Sequence, residues 1–216
     1  AEEIEARARH WREFNTKSRL PATLSETAPG MVAAASLFRI LAESLPDDTV
    51  IVDEIIAQGM LMMQHLFTND SFHHYRGAAG GLGTAVPTAL GIKLADPAKT
   101  VVCIIGDGSF NYEPVLSCQG CSQQYDLPIL IVICNNQGFV SQTWNTRKYF
   151  PEGSALRTGY FYGDVIAPTP DYWKIAAAFD SYGERVGESE NLRAALERGM
   201  AAVSQGRTAV IDVILE

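Results

Sequence analysis

The sequence predicts a doubly wound α/β fold, a mainly parallel sheet with helices on both faces, and three observations carry that prediction. Residues 101–105 and 129–134 are short, β-branched runs unbroken by charge, which is the pattern of strands buried on both faces of a parallel sheet. Each run ends in polar, turn-forming residues: Gly106-Asp107-Gly108-Ser109 after the first, Asn135-Asn136 after the second. Strand-like and helix-like segments then alternate along the chain with no internal repeat or low-complexity tract. With 216 residues and 47% apolar content, the chain has enough material for one α/β core.

Taken in order, residues 2–15 form a charged helical segment in which Glu2, Glu3 and Glu5 are followed by Arg7, Arg9 and Arg12. A polar stretch without periodicity follows to Pro29, so residues 1–30 read as a linker or N-terminal arm and residues 31–216 as the domain proper. That domain opens with a helix over 31–44, a turn at Pro46-Asp47-Asp48 and a strand over 49–53. A Met-rich helix over 57–67 carries Met60, Met62 and Met63, which could line a pocket but are read first as core packing. A glycine-rich loop, 77–83, leads into a helix over 84–95 and the first of the two apolar runs. The segment between the runs supplies a helix over about 112–123, and a short helix over 139–147 follows the second run. Residues 149–170 then form a loop long enough to be functional or mobile. The C-terminal part is regular: helix 172–179, strand 182–186, helix 191–204 and strand 208–214.

Composition narrows the partners. A net charge of −8 argues against nucleic acid or an anionic membrane surface. No apolar stretch reaches spanning length and the first residues lack a signal-peptide pattern, so a cytoplasmic location is expected. Cys103 and Cys134 fall inside predicted core strands, and Cys118-Gln-Gly-Cys121 has no second pair or histidine at zinc spacing. All four are read as small buried hydrophobes.

The two strand ends carry the chemistry. Twenty-six residues, 109–134, separate Gly108 from Asn135, enough for one crossover helix and the return strand, so Asp107 and Asn136 can stand side by side. A carboxylate and a carboxamide are hard oxygen donors suited to Mg²⁺, which keeps phosphate oxygens or water as its other ligands. Gly106 and Gly108 allow close backbone approach, and Ser109 with the following helix N-terminus offers donors to an anion.

With these residues the chain resembles the thiamine-diphosphate enzymes, whose anchoring signature is Gly-Asp-Gly, a spacer of this length, and Asn-Asn. The resemblance covers 31–216 and is closest to the decarboxylase and carboligase branch that includes benzoylformate decarboxylase and the acetolactate synthases. It implies thiamine diphosphate and Mg²⁺ as cofactors, with Asp107, Asn136 and the Gly138 carbonyl on the metal. Ser109 and Tyr112 fall at diphosphate contacts, and Phe139, Val140 and Thr143 begin a helix that borders the substrate. Gly80-Gly81-Leu82-Gly83 matches the stretch beneath the cofactor: the Gly80 carbonyl accepts from the aminopyrimidine and Leu82 is the wedge that holds the cofactor bent. The segment Asp53-Glu54-Ile55-Ile56-Ala57 matches a loop whose hydroxyls contact the diphosphate in relatives, but Ile56 and Ala57 carry none. Backbone N–H groups are the expected substitute.

Complete members of that branch carry three domains, and only the diphosphate domain is legible here. The glutamate that activates the pyrimidine is therefore expected from a second polypeptide or chain segment, making the chain a small subunit or a C-terminal fragment of an assembly at least dimeric. Of the four histidines, His73 and His74 stand nearest the glycine loop and are the acid-base candidates. The resemblance implies cleavage or formation of a carbon–carbon bond beside a carbonyl, with 2-oxo acids as substrates. Two alternatives stand beside it: a non-catalytic cofactor-binding or assembly subunit, and the small subunit of a 2-oxo acid oxidoreductase.

Overall fold

The computed structural model describes residues 3–7, 9, 28–66, 72–76 and 81–216. Residues 3–7 are helical and exposed, and most of the predicted arm, 10–27, lies outside the described residues, as do Phe67, Gly77 and Gly80. The domain runs α1 (Ala34–Ser44), β1 (Val50–Glu54), α2 (Gly59–Leu66), β2 (His73–Arg76), α3 (Ala85–Ala95), β3 (Val101–Gly106), α4 (Asp107–Phe110) and α5 (Val115–Gln124). It continues through β4 (Leu130–Asn135), α6 (Val140–Tyr149), α7 (Ser154–Thr158), a 3₁₀ helix (Tyr172–Phe179), β5 (Tyr182–Val186), α8 (Ser189–Ser204) and β6 (Ala209–Ile214).

Among the described residues, six strands form one all-parallel sheet in the order β2-β1-β3-β4-β6-β5. Parallel pairing aims every strand's carboxyl end the same way, so the polar residues after β1, β3 and β4 meet on one edge of the sheet. The four inner strands are buried along their length except for Gly106 at the end of β3, as their apolar sequences require. Alternate residues serve opposite layers. Ile51, Ile104, Val132 and Ile211 pack beneath Leu37 and Phe38 of α1, Met62 of α2 and Leu196 of α8. Val52, Cys103, Ile131 and Val210 face Val86 and Leu90 of α3, Cys118 of α5 and Tyr172. The fold is the doubly wound α/β architecture that the sequence predicts.

The two edge strands differ from the inner ones. The sequence predicts no strand where β2 stands; its residues are exposed or half-buried and carry no apolar run. At the other edge β5 presents Glu184, which pairs with Arg198, and Arg185, which pairs with Asp171. Two further details depart from expectation: the first turn after β3 is already helical as α4, and the long loop contains α7. Met62 is buried as predicted, whereas Met60 and Met63 are exposed. All four cysteines are free, and burial pushes the Cys118 thiol up to about 11, which leaves it protonated and inert at neutral pH.

Candidate functional site

At the carboxyl ends of β1, β3 and β4 lies a cavity of about 700 Å³, within the usual range for small-molecule sites. It opens where the strand order reverses between β1 and β3, the place where doubly wound sheets bind ligands. Residues 53–58 form one wall, Gly81 and Leu82 a second, and Gly106–Ser109 with Asn136 and 138–142 the third.

The register explains why two side chains 29 positions apart meet. Gly106 on β3 pairs with Cys134 on β4, so Asp107 and Asn136 both follow the ends of hydrogen-bonded neighbours. Asp107 is 1% exposed and its Oδ2 accepts from Gly138 N at 3.1 Å. Burial pushes its carboxyl up to about 6, against backbone donors including Gly108 and Gly138 that pull it down. Asn136 Oδ1 is buried with no hydrogen-bond partner. A carboxylate short of counter-charge beside an orphaned amide oxygen is the donor set of a hard cation. Among the described residues no group of three or more His, Cys, Asp or Glu side chains could hold a metal, so a cation here would use Asp107, neutral oxygens and its ligand's own oxygens. The residues present fit Mg²⁺ bridging to a diphosphate.

A strap from the long loop holds the third wall. Gly138 bridges Val165 in antiparallel fashion, Phe139 N donates to Asp164 O at 2.6 Å, and Ile166 N donates to Gln137 O at 2.9 Å. Only glycine fits at 138, because a Cβ there would stand 2.4 Å from Asp164 O. Thr143 Oγ1 donates to Asp164 Oδ2 at 3.1 Å, tying the strap to α6 as well. Behind the wall, Asn135 Nδ2 donates to buried Asp212 Oδ1 at 2.8 Å, and Arg185 Nε holds the other oxygen at 3.0 Å.

Two acids that sequence reasoning did not single out as site residues support the second wall. Glu54, on the last position of β1, accepts from Gly83 N at 2.8 Å, Thr84 N at 2.9 Å and Ala85 N at 3.0 Å, replacing a local cap for α3. Glu113 reaches the same helix end from the segment after α4, accepting from Ala85 N at 2.9 Å and Val86 N at 3.2 Å. Gly83 has φ +85°, and a Cβ there would meet Tyr112 O at 2.3 Å, so this close approach demands glycine. Burial raises the Glu113 carboxyl to about 7, and the nearby Glu54 charge adds to the rise.

The structure brings Gly81, Leu82, Gly106, Asp107, Gly108, Ser109, Asn136, Gly138 and Phe139 to the cavity. Tyr112 does not line it: its exposed ring stands edge-on to Phe139 with centroids 6.4 Å apart. His73 and His74 are also outside, and the register gives the reason. His73 pairs with Val50, the first residue of β1, about 10 Å below the carboxyl edge, and its Nε2 lies 2.6 Å from Asp48 Oδ1. His74 is engaged with the buried Asp53 carboxylate. Gly80 lies outside the described residues.

Residues 57–213 match the family model for the thiamine pyrophosphate enzyme C-terminal TPP-binding domain. The chain is 32% identical over 143 residues to the acetolactate synthase isozyme 3 large subunit of Escherichia coli K12, an alignment covering 64% of this chain and 23% of that protein. Benzoylformate decarboxylase of Pseudomonas aeruginosa PAO1 is 28% identical over 185 residues, covering 85% of this chain and 33% of the relative. Among solved structures, the Rhodococcus jostii RHA1 thiamine diphosphate-dependent 4-hydroxybenzoylformate decarboxylase superposes with a TM-score of 0.75 at 26% identity, covering 88% of this chain and 34% of that one. The chain thus spans about a quarter to a third of the length of these relatives. A parallel sheet whose switch-point cavity joins Gly-Asp-Gly to Asn-Asn, together with this family match, means that the chain belongs to the thiamine pyrophosphate enzymes and carries their C-terminal TPP-binding domain.

Proposed function

We propose that the chain is the diphosphate-binding component, a small subunit or C-terminal fragment, of a thiamine-diphosphate- and Mg²⁺-dependent cytoplasmic enzyme acting on 2-oxo acids as a decarboxylase or an acetolactate-synthase-like carboligase. The observation that carries this reading is the orphaned Asn136 Oδ1 beside the buried Asp107 carboxylate. In this reading Asp107, Asn136 and the Gly138 carbonyl hold the cation, and Ser109 and backbone N–H groups at α4 meet the diphosphate. Leu82 would support the cofactor in its bent form, while Gly80, the expected partner of the pyrimidine, lies outside the described residues. Thiamine diphosphate, when bound, supplies an electron sink beside the substrate carbonyl. Phe139 and Val140 keep water from that side of the cavity.

The pyrimidine-activating glutamate belongs to a partner chain or segment in this proposal. Support comes from Ile56 and Leu82, which line the cavity and yet are 59% and 39% exposed, an apolar mouth that a second domain would cover. The test is retention of cofactor and metal as one unit. In the intact protein, calorimetry with thiamine diphosphate should show tight binding in Mg²⁺ and weak binding in EDTA, and Asp107→Ala should abolish the difference. Metal-independent binding, unchanged in Asp107→Ala, would refute the assignment.

A further inference from the structure

Resting on the cofactor reading above, we infer that Arg76 is a diphosphate-binding residue, taking the contact that the hydroxyl-free loop at Ile56 and Ala57 cannot make. Four charged side chains line the described part of the cavity: Asp53, Glu54, Arg76 and Asp107. Three are acids, and each is committed. Glu54 is spent on the N-terminus of α3, Asp53 is fully buried against His74, and Asp107 faces the candidate cation position. A diphosphate carries more negative charge than one divalent cation cancels, so a site built only from these acids would repel it. Arg76 is the one cation among the described lining residues.

Its placement is specific. Arg76 closes β2 at the carboxyl edge, paired with Asp53, and its Nη2 donates to Ile55 O at 3.0 Å. That bond fixes the guanidinium against the loop 55–58, the same loop in which Ile56 and Ala57 stand where hydroxyls are expected. The Nε is 3.9 Å from Asp53 Oδ1, beyond hydrogen-bond length, so Asp53 orients the group without consuming its donors. A guanidinium has five N–H donors, and Nη1 has no partner among the described residues. With its side chain 57% exposed and its base tethered, Arg76 presents a preorganised fork of the kind that takes phosphate oxygens in pairs. Ile55 O supplies no negative charge and Asp53 meets only the Nε side at 3.9 Å, so an anion in the cavity gains the donors on Nη1 while sharing the charge with Asp53.

The inference is tested with Arg76→Gln and Arg76→Lys in the intact protein at constant Mg²⁺, titrating thiamine diphosphate, inorganic pyrophosphate and unphosphorylated thiamine. Arg76→Gln should weaken both diphosphates about 10- to 100-fold, as loss of a charge-assisted pair does, while leaving thiamine binding unchanged. Arg76→Lys should recover part of the loss, and the unliganded proteins should unfold at the same temperature. Equal weakening of thiamine and thiamine diphosphate would mean that Arg76 only supports the loop. Unchanged diphosphate affinity with a raised KM for a 2-oxo acid would assign it to the substrate carboxylate, and either result overturns the inference. Wild-type protein that fails to bind thiamine diphosphate at all would overturn the cofactor reading itself, a distinct outcome from failure confined to the variants.

Discussion

Glu113 should make this domain less stable as pH rises from acid to neutral, the reverse of what an ordinary surface glutamate does. The residue is 8% exposed, and the ordinary carboxyl value of 4.5 is raised to about 7, by burial first and by the charge of Glu54 second. Backbone donors at Ala85 and Val86 oppose that rise but do not cancel it. Between these two values the folded state binds a proton that the unfolded chain has released, so stability falls across pH 4.5–7 and is level above it. A rise of that size corresponds to about 3 kcal/mol. Glu113→Gln keeps the oxygen that accepts from Ala85 and Val86 and removes the titration. Whatever constant cost the new amide brings, the variant should gain about 3 kcal/mol on the wild type between pH 4 and pH 8. Urea unfolding of both proteins at a series of pH values measures that difference directly. A wild-type-to-variant gap that stays constant from pH 4 to 8 would show that Glu113 ionises freely, and the burial argument would fail.

Two further substitutions separate support from chemistry. Leu82 is 39% exposed, so Leu82→Ala should cost about 1 kcal/mol of stability, below the full range for a buried leucine, yet reduce turnover of the cofactor-loaded enzyme far more than cofactor affinity; normal turnover would make it plain packing. Gly138→Ala forces a Cβ against the Asp164 carbonyl and should release the strap, read as new proteolytic cleavage within residues 150–166 together with loss of Mg²⁺-dependent cofactor binding. An unchanged digestion pattern would show that the strap does not depend on that close contact.

Most of the architecture was legible because burial on both faces leaves a simple trace. The runs that became β3 and β4 have one chemical character throughout, and the turn residues after them mark the functional edge. The edge strand β2 left no such trace: His73, His74, Tyr75 and Arg76 answer to solvent and to Asp48, Asp53 and Ile55 rather than to a core. For the same reason the histidines drew attention by proximity in sequence, while the register carried His73 to the wrong end of the strand. Glu54 and Glu113 were illegible as helix caps because their N–H partners lie about thirty positions away, and a glutamate looks the same in sequence whether it meets water or a distant helix end. The motif pair fared differently, since its meaning lies in a spacing that the crossover between two adjacent strands fixes.

The two borders of the sheet carry a consequence for how this domain can associate. An unpaired parallel strand is a template on which another chain can add, and long, flat, apolar borders invite fibre-like growth. Here β2 is four residues long and ends in Arg76, while β5 sets Glu184 and Arg185 into ion pairs with its own chain. A strand arriving at either border would have to strip charged groups of water and partners before gaining main-chain bonds. Ordered assembly through this domain is thereby steered away from sheet extension and toward its helical layers and the rim of the cavity.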